Sequence, residues 1–483
     1  MNRSRLFRSV TAGFAFALLC ACNSPPVKTV ISLPFEIPAT WSYNTGSTPD
    51  AVALALWWSR FNDPLLNSLV SQALLANTSI GSAQAALRQA RALRDVTAAG
   101  LRPVLGSSAS AQRARSGNTG TGNSFNAGLD ASWELDVFGA NRSALNSSDA
   151  TLAASAAILG NTQVSIAAEL ALTYISMRNA QTRLQIATDN LASQQETQQL
   201  TDWRLQAGLV TSIEAEQART SVEQTRAQLP LLRTAIDQNS HALAVLIGQP
   251  PAALNVLLAG SGPVPQADET LALSFPADTL RQRPDVREAE FQILSAVALV
   301  AQAEAARAPD FKLSGSLGLN ALSLGGLSSA SAVLASLLGG VSLPIFDGGA
   351  ARARVRSQQA ALDQAQFGYQ SAVLAALKDV EDALIALRSD RERITSLQQA
   401  ANAAANAALL ARQRYTSGLV DFQTVLETQR TRLATQDSLA SVSADISADH
   451  VRLYKALGGG WVPDSTATAT LLPLNNDNTK THP

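Results

Sequence analysis

The residues able to do chemistry are few in this chain of 483 residues, and their spacing argues against catalysis. There are two cysteines, Cys20 and Cys22, and three histidines, His241, His450 and His482. His241 and His450 fall on segments with helical periodicity and His482 lies in the C-terminal tail; an isolated histidine on a helix is far more often structural than catalytic. Asp445, Asp449 and His450 offer two carboxylates and an imidazole on one stretch, the raw parts of a relay, but no nucleophile motif accompanies them. There is no Walker loop, dinucleotide fingerprint, HExxH pair or usable cysteine pair, so nucleotide, nicotinamide and metalloprotease chemistry lack their parts. Neither a metal site nor a dissociable cofactor is expected. The remaining arrangement with a use is electrostatic: Glu427 and Arg430 stand at i and i+3, on one face of a predicted helix, with Gln423 one turn earlier.

The N-terminus carries the one covalent modification that the sequence suggests. Arg3, Arg5 and Arg8 precede a mostly apolar stretch from Val10 to Leu19, too short to span a bilayer and laid out as a secretory signal. The segment Leu19-Cys20-Ala21-Cys22 resembles a bacterial lipobox, with small Ala21 before Cys22. That resemblance implies removal of residues 1–21, an S-diacylglycerol and an N-palmitoyl chain on Cys22, and outer-membrane sorting, since Asn23 rather than aspartate follows. An ordinary signal peptide with cysteines near its cleavage site is the alternative. Either way the compartment is oxidising and Cys22 has no disulfide partner in the mature chain.

The elements that must position any functional residue are long and thin. Hydrophobic residues make up 46% of the chain and aromatic residues only 5%. Much of the former is alanine, with high helix propensity and little bulk to bury. The formal net charge of -1 gives no basic field for nucleic acid. Beyond the signal segment no run approaches 18 uninterrupted apolar residues, so a membrane crossing would have to be a barrel.

The sequence is internally duplicated. Leu205-Gln206-Ala207-Gly208-Leu209-Val210 is answered by Tyr415-Thr416-Ser417-Gly418-Leu419-Val420, with the glycines 418 − 208 = 210 positions apart. Leu135-Asp136-Val137-Phe138-Gly139 is answered by Leu343-Pro344-Ile345-Phe346-Asp347 at 343 − 135 = 208. Each half reads as a helix, two strands, a very long helix, a glycine turn and another helix. The boundaries read as a signal segment 1–21, an N-terminal extension 22–60, a first repeat 61–250, a linker 251–280, a second repeat 281–457 and a C-terminal segment 458–483.

In the first half Pro64 to Ala99 reads as one helix stopped by Gly100 and Pro103. A poorly marked strand lies between Val104 and Arg115. From Phe125 to Leu135 apolar Phe125, Ala127, Leu129, Ala131, Trp133 and Leu135 alternate with polar positions that include Asp130 and Glu134. The second half repeats this from Phe311 to Asn320, then less strictly over Leu337, Gly339, Val341, Leu343 and Ile345. A water-filled lumen would solvate carboxylates that a dry core would penalise. A soluble sandwich with one wet face is the alternative. Four strands cannot close an aqueous barrel, so the barrel reading demands strands from other copies.

Ala140 to Gln206 and Gly349 to Thr416 are proline-free and, at 1.5 Å per residue, reach roughly 100 Å. A seam of Val355, Leu362, Phe367, Tyr369, Val373, Leu377, Val380, Leu384 and Leu387 predicts close packing on neighbouring helices.

These residues resemble the outer membrane factors of the TolC and OprM type, in the lipoprotein branch that serves proton-driven, RND-type efflux pumps. The resemblance covers nearly the whole mature chain. It rests on Trp57-Trp58, Phe61-Asn62-Asp63-Pro64-Leu65, Ala73-Leu74, Asn77, Trp133 through Gly139, Ala244 through Gly248 before Pro250, and Arg281-Gln282-Arg283-Pro284-Asp285-Val286 with Ala289-Glu290. In the last piece Pro284 suits a first helical turn and Asp285 faces its positive end. The resemblance implies a mainly α protein with a β-barrel portion, a homotrimer whose twelve strands close one barrel in outer-membrane lipid and whose helices form a periplasmic tunnel. It implies passive export in a tripartite pump with a periplasmic adaptor and an inner-membrane pump. The tips Gly208, Leu209, Val210, Gly418, Leu419 and Val420 would meet the adaptor, or serve only as helix connections. Glu427 would ring the pore and Arg430 tie neighbouring helices; relatives carry aspartate at the first position, which puts the ion-pair geometry in doubt. Gln423 stands where relatives place an apolar constriction. Asp310, after Pro309, departs from the usual small polar residue. A lipid-anchored adaptor or a structural coiled coil are the competing classes, and the duplication and the alternating strands respectively speak against them.

Overall fold

The computed structural model describes residues 33–42, 54–115, 121–267 and 276–461. The signal segment, Cys20, Cys22, His482, linker residues 268–275 and the tail beyond Trp461 lie outside the described residues. Backbone contacts divide the chain into one unit of Glu36–Thr468 and another of Met1–Phe35 with Ala469–Pro483, of which residues 33–35 are described.

The larger unit begins with a 3-10 turn at Trp57–Phe61 and helices α1 (Pro64–Ala76) and α2 (Thr78–Ala99). Asp63 caps α1, its carboxylate accepting from Leu65 N at 2.9 Å and Leu66 N at 3.0 Å, with Pro64 at the first helical position, where a missing N–H costs nothing. The single helix expected from Pro64 to Ala99 is broken at Asn77, which is extended (φ −64°, ψ 132°). Its Oδ1 accepts from Ser79 N and Ile80 N, and its Nδ2 donates to Leu246 O at 2.8 Å, so one buried amide starts α2 and ties it to a distant helix end. Beside it Gly248 has φ +74°, and a Cβ there would come within 2.5 Å of Ala76 O. Only glycine fits.

Strands β1 (Val104–Arg115), β2 (Thr121–Leu135), β3 (Asp310–Ala321) and β4 (Val333–Ser342) form one antiparallel sheet in the order β1-β2-β3-β4. The fourth strand stops at Ser342, short of the expected Ile345, because Pro344 has no N–H for a ladder and Asp347-Gly348-Gly349 turns the chain. Helices α3 (Ala140–Gln206) and α4 (Ser212–Leu246) complete the first half. Short α5 (Asn255–Leu258) and α6 (Pro276–Gln282) lead into α7 (Pro284–Ala305); α8 (Ala350–Thr416) and α9 (Phe422–Ala456) follow the second strand pair. Both long helices have 67 residues and both return helices have 35, and their starts are shifted by 350 − 140 = 422 − 212 = 210. The duplication is therefore conformational as well as sequential.

Each long helix starts in the same way. Gly139 (φ +80°) and Gly349 (φ +89°) supply left-handed N-caps. Asp136 accepts from Asn141 N and Arg142 N, and Asp347 from Gly349 N and Ala351 N at 2.8 and 2.7 Å. These carboxylates face the positive ends of their helices, and the backbone bonds from Ala351 and Gly349 hold Asp347 below the usual carboxylate range.

The main core lies where Trp57, Leu66, Leu69, Leu170, Tyr174, Met177, Leu243, Ile247, Tyr454 and Leu457 are all but fully buried. Trp57 stacks on Tyr454 at 5.4 Å between centroids. On α8, Val355, Tyr369, Val373, Val380, Leu384 and Leu387 are buried as expected, the last two and Val380 within this cluster. Phe367 is not: it is 69% exposed, on the opposite face. The start of α7 is as predicted, with Pro284 first, Asp285 in the first turn and the Arg283 guanidinium on Asp285 at 2.7 Å.

Candidate functional site

Two regions of this fold can do work, the sheet at one end of the helices and the glycine turns at the other. Directly paired residues of antiparallel strands project from the same face. The register pairs Ala109 with Ala127, Ala127 with Leu319 and Leu319 with Val333; further along it joins Leu105, Ala131, Gly315 and Leu337. The apolar positions of β2 and β3, with most of those of β1 and β4, thus lie on one face; Val104, Leu334 and Leu338 of the edge strands lie on the other. Asp130, Ser108, Asn126, Asn320, Ser316 and Ser336 share that other face, where Ser108 Oγ donates to Asp130 at 3.1 Å, the two asparagines bond, and the two serines lie 2.8 Å apart.

Among the described residues this is the only sheet, and nothing packs on its apolar face: Leu105 is 69% exposed and Leu337 78%. The sandwich alternative requires a covering layer and fails. From Leu135 to Phe125, at 3.4 Å per residue and a tilt of ~40°, the apolar band stands about 26 Å high, close to the roughly 25 Å of an outer-membrane barrel. Trp133 and Phe311 form an aromatic rim at the helical end, with the indole Nε1 donating to Leu101 O at 3.1 Å and Phe311 in contact with Phe138. No single helix among the described residues is long and apolar enough to cross a membrane.

At the far end the two turns are copies. Gly208 and Gly418 both have φ +72°. Leu209 N donates to Arg204 O at 2.8 Å and Leu419 N to Arg414 O at 2.9 Å, the six-residue closure that glycine permits at a helix end. Thr211 with Glu214 forms a capping box on α4, while Asp421 is the N-cap of α9 and accepts from Thr424 Oγ1 and Thr424 N, which hold it below the usual carboxylate range. Leu209 and Leu419 project, 73% and 74% exposed, while Val210 and Val420 are half-buried. Beneath them Tyr415, Phe422, Val425 and Leu426 pack together, and the Arg204 guanidinium sits 4.3 Å from the centre of the Tyr415 ring while bonding Thr416 O.

Gln423, Glu427 and Arg430 lie along one exposed stripe of α9. Among the described residues Glu427 and Arg430 make no ion pair with each other or with anything else. Arg430 instead overlooks a cleft of about 370 Å³ between α9 and α4, shared with Glu216, Gln217 and Thr220. Under the 210-residue repeat Gln217 is the counterpart of Glu427 and Thr220 that of Arg430, so the two halves meet at this cleft. A second cleft of about 450 Å³ joins Arg430 to Arg183 and Asp437. Sequence reasoning missed the ties between α3 and α9: Arg183 grips Asp437 across this cleft with two bonds of 2.6 and 3.0 Å, Asn190 donates to Gln436, and Gln429 donates to Thr197. No spacing rule links residues more than 200 positions apart.

The relay candidates do not assemble a catalytic centre. His450 is buried, with Nδ1–H donating to Ile446 O at 2.8 Å and Nε2 accepting from Arg391. Asp449 is 2% exposed, bonds Arg452 through Oδ1 at 2.6 Å and leaves Oδ2 without a hydrogen bond. Burial raises its pKa, Arg452 opposes the shift, and Asp390 and Asp445 add to it. Its protonated form is therefore favoured by folding, a contribution full below the unfolded pKa of about 3.9 and lost as pH rises through the folded value. Asp449→Asn is expected to raise the thermal dissociation temperature of the assembled protein at neutral pH and to leave it unchanged in acid, as thermal scans across pH would read.

A four-stranded strip with one face for lipid and one for water, continued by two duplicated helical hairpins, defines the protomer of an outer-membrane channel with a periplasmic helical extension. The chain belongs to the outer membrane efflux protein family, whose sequence profile matches residues 69–249 and 275–459. It is 33% identical to the pyoverdine export outer membrane protein OpmQ of Pseudomonas aeruginosa, over 94% of this chain and 97% of that one. It is 30% identical to the toluene efflux pump outer membrane protein TtgF of Pseudomonas putida, over 84% and 85%. The solved outer-membrane channel OprN superposes with a TM-score of 0.83 at 34% identity, covering 91% of this chain and 99% of its own. Members of the family are trimeric outer-membrane channels that work with adaptors and inner-membrane pumps. The channel reading, the duplicated fold and the outer-membrane location expected from the sequence are thus borne out, and the adaptor and coiled-coil alternatives fall away.

Proposed function

We propose that three copies of this chain form the exit duct of a tripartite efflux pump driven by an RND-type inner-membrane transporter. The duct conducts small molecules passively, and its own residues perform no catalysis. The observation that carries the reading is the uncovered apolar face of a sheet too narrow to close, since four strands per protomer become twelve in a trimer. Glu427 and Arg430, with Gln423 beside them, form the periplasmic gate; in support, both charges are exposed and, among the described residues, unpaired. The turns at Gly208–Val210 and Gly418–Val420 dock the adaptor, supported by projecting Leu209 and Leu419 on two identical turns. Cys22 carries S-diacylglycerol and N-palmitoyl chains that anchor the N-terminus in the outer membrane. Pyoverdine and toluene in the names of the relatives above indicate that one duct architecture serves unlike cargoes, as a wide solvated lumen allows. The expected result is a heat-modifiable trimer in outer-membrane fractions that conducts ions in planar bilayers; a monomer without conductance sinks the reading.

A further inference from the structure

The apolar face of the sheet carries two charges, and both sit near the same end of β1, two residues apart. Odd-numbered positions of β1 share the face of Phe125, Leu129 and Trp133, because Ala111 pairs with Phe125 and Ser107 with Leu129. Continuing that parity puts Arg113, opposite Asn123, and Arg115, opposite Thr121, on the apolar face, just beyond Phe125 and next to the β1–β2 hairpin. This is the end remote from the helices, because α2 feeds the Val104 end of β1 and α3 leaves from the Leu135 end of β2. Every other charged strand residue, Asp130, Glu134, Asp310 and Lys312, lies on the polar face.

No carboxylate stands near the two arginines to neutralise them. Residues 104–129 contain no charged residue besides Arg113 and Arg115, and residues 313–346, which include the second hairpin and all of β4, contain none. Both side chains are exposed, and among the described residues neither has an ion pair or hydrogen bond. β1 and β4 are the edges of the strip, so whichever strand of another copy closes the barrel beside β1 also brings no acid to this rim. The two rims of the apolar band therefore differ in kind: Trp133, Phe311 and Phe138 at the helical end, bare guanidinium groups at the other.

A guanidinium at the edge of a lipid-facing surface extends its stem along the apolar band and its head into the headgroup layer. There its fork of donors matches phosphate oxygens two at a time. We infer that Arg113 and Arg115 form a binding site for the phosphate groups of an anionic outer-leaflet lipid, whose acyl chains lie along the band from Phe125 toward Leu129 and Leu317. The inference rests on the barrel reading, which sets the apolar face in lipid and the hairpins outward.

The test uses the full-length trimer in a non-ionic detergent, with lipid A bearing both phosphates as the probe and native mass spectrometry to count bound lipid. Wild type is expected to retain lipid A in preference to its fully dephosphorylated form. The Arg113→Gln/Arg115→Gln variant is expected to lose that preference by about tenfold, as befits two charge-assisted, bidentate contacts. Arg113→Lys/Arg115→Lys should keep part of it, which separates charge from shape. Equal retention by the glutamine variant, or of the dephosphorylated lipid by wild type, overturns the site. So does complete displacement by inorganic phosphate, which would mark a free-anion site. All variants should remain trimers with wild-type conductance, so loss of lipid preference is read separately from failure of the channel itself.

Discussion

Replacing Glu427 and Arg430 together by alanine is expected to raise the current through the channel in planar bilayers about tenfold at fixed voltage. Among the described residues neither side chain has an ionic partner, yet both stand on the exposed stripe of α9 near the tip. If they close the aperture, they do so through contacts between copies. A solvent-exposed ion pair contributes roughly 0.5 kcal/mol, and threefold symmetry makes the loss additive to about 1.5 kcal/mol, a tenfold shift between closed and open states. Glutamate carries one methylene more than the aspartate that the family resemblance leads one to expect at this position, which lengthens the reach of the pair. Exchanging the charges, Glu427→Arg with Arg430→Glu, should restore much of the closed state if mutual attraction is what matters. Unchanged conductance together with unchanged drug susceptibility in the alanine variant would remove the gate. The same pair has no counterpart in the first half, where Gln217 and Thr220 occupy the equivalent positions and face the cleft below Arg430.

What the sequence made legible follows from where its physics is local. Alternation over Phe125–Leu135 and Phe311–Asn320 marked two strands because each has one apolar and one polar face, and cross-strand pairing adds no new period. The long helices were readable to within a residue because nothing inside them breaks helix and a positive-φ glycine bounds each end. Strand β1 was faint for a physical reason: Ser107, Ala109 and Ala111 are small residues on a lipid-facing edge, so there is little contrast with the polar face. The break at Asn77 was hidden because asparagine in a helical run has no local signature; the carbonyl of Leu246 that holds its side chain is 169 positions away. Asp136 and Asp347 show a subtler limit. The 208-residue match aligned Asp347 with Gly139, whereas the helices they introduce are offset by 210, so the aspartates that cap the helices are equivalent in role but not in that alignment. At the gate, residue types pointed to an electrostatic device but not to its partners, because those depend on how copies assemble.

The largest effect on stability is expected at Arg283, which the sequence marked only as the residue before a helix start. Its guanidinium makes four hydrogen bonds, to three elements. Nε and Nη2 grip both oxygens of Asp285 at 3.0 and 2.7 Å, Nη2 also reaches Asp379 on α8 at 3.1 Å, and Nη1 donates to Ala456 O, at the last turn of α9, at 3.0 Å. Burial disfavours its charge, and the two carboxylates outweigh that cost, holding it above the ordinary arginine value. Gly458 closes over it with φ +75°, and a Cβ there would stand 3.2 Å from Arg283 Cα, so the chain can wrap this side chain only through glycine. Arg283→Met fills the space but leaves the Ala456 carbonyl unpaired and two carboxylates facing each other. Breaking a fully buried pair costs roughly 3–5 kcal/mol, and because Asp379 is about half exposed the expected loss here is nearer about 3 kcal/mol. Against a typical total of roughly 5–15 kcal/mol, that should lower the amount of heat-modifiable trimer in the membrane as well as the unfolding midpoint in urea. Arg283→Lys should recover less than half of the loss, since one ammonium cannot serve a fork and a carbonyl in different directions. Asp379→Asn, which keeps the shape and removes one charge, should cost about 1 kcal/mol. An unfolding midpoint for Arg283→Met equal to wild type would show that α7, α8 and α9 are joined by their apolar seams alone.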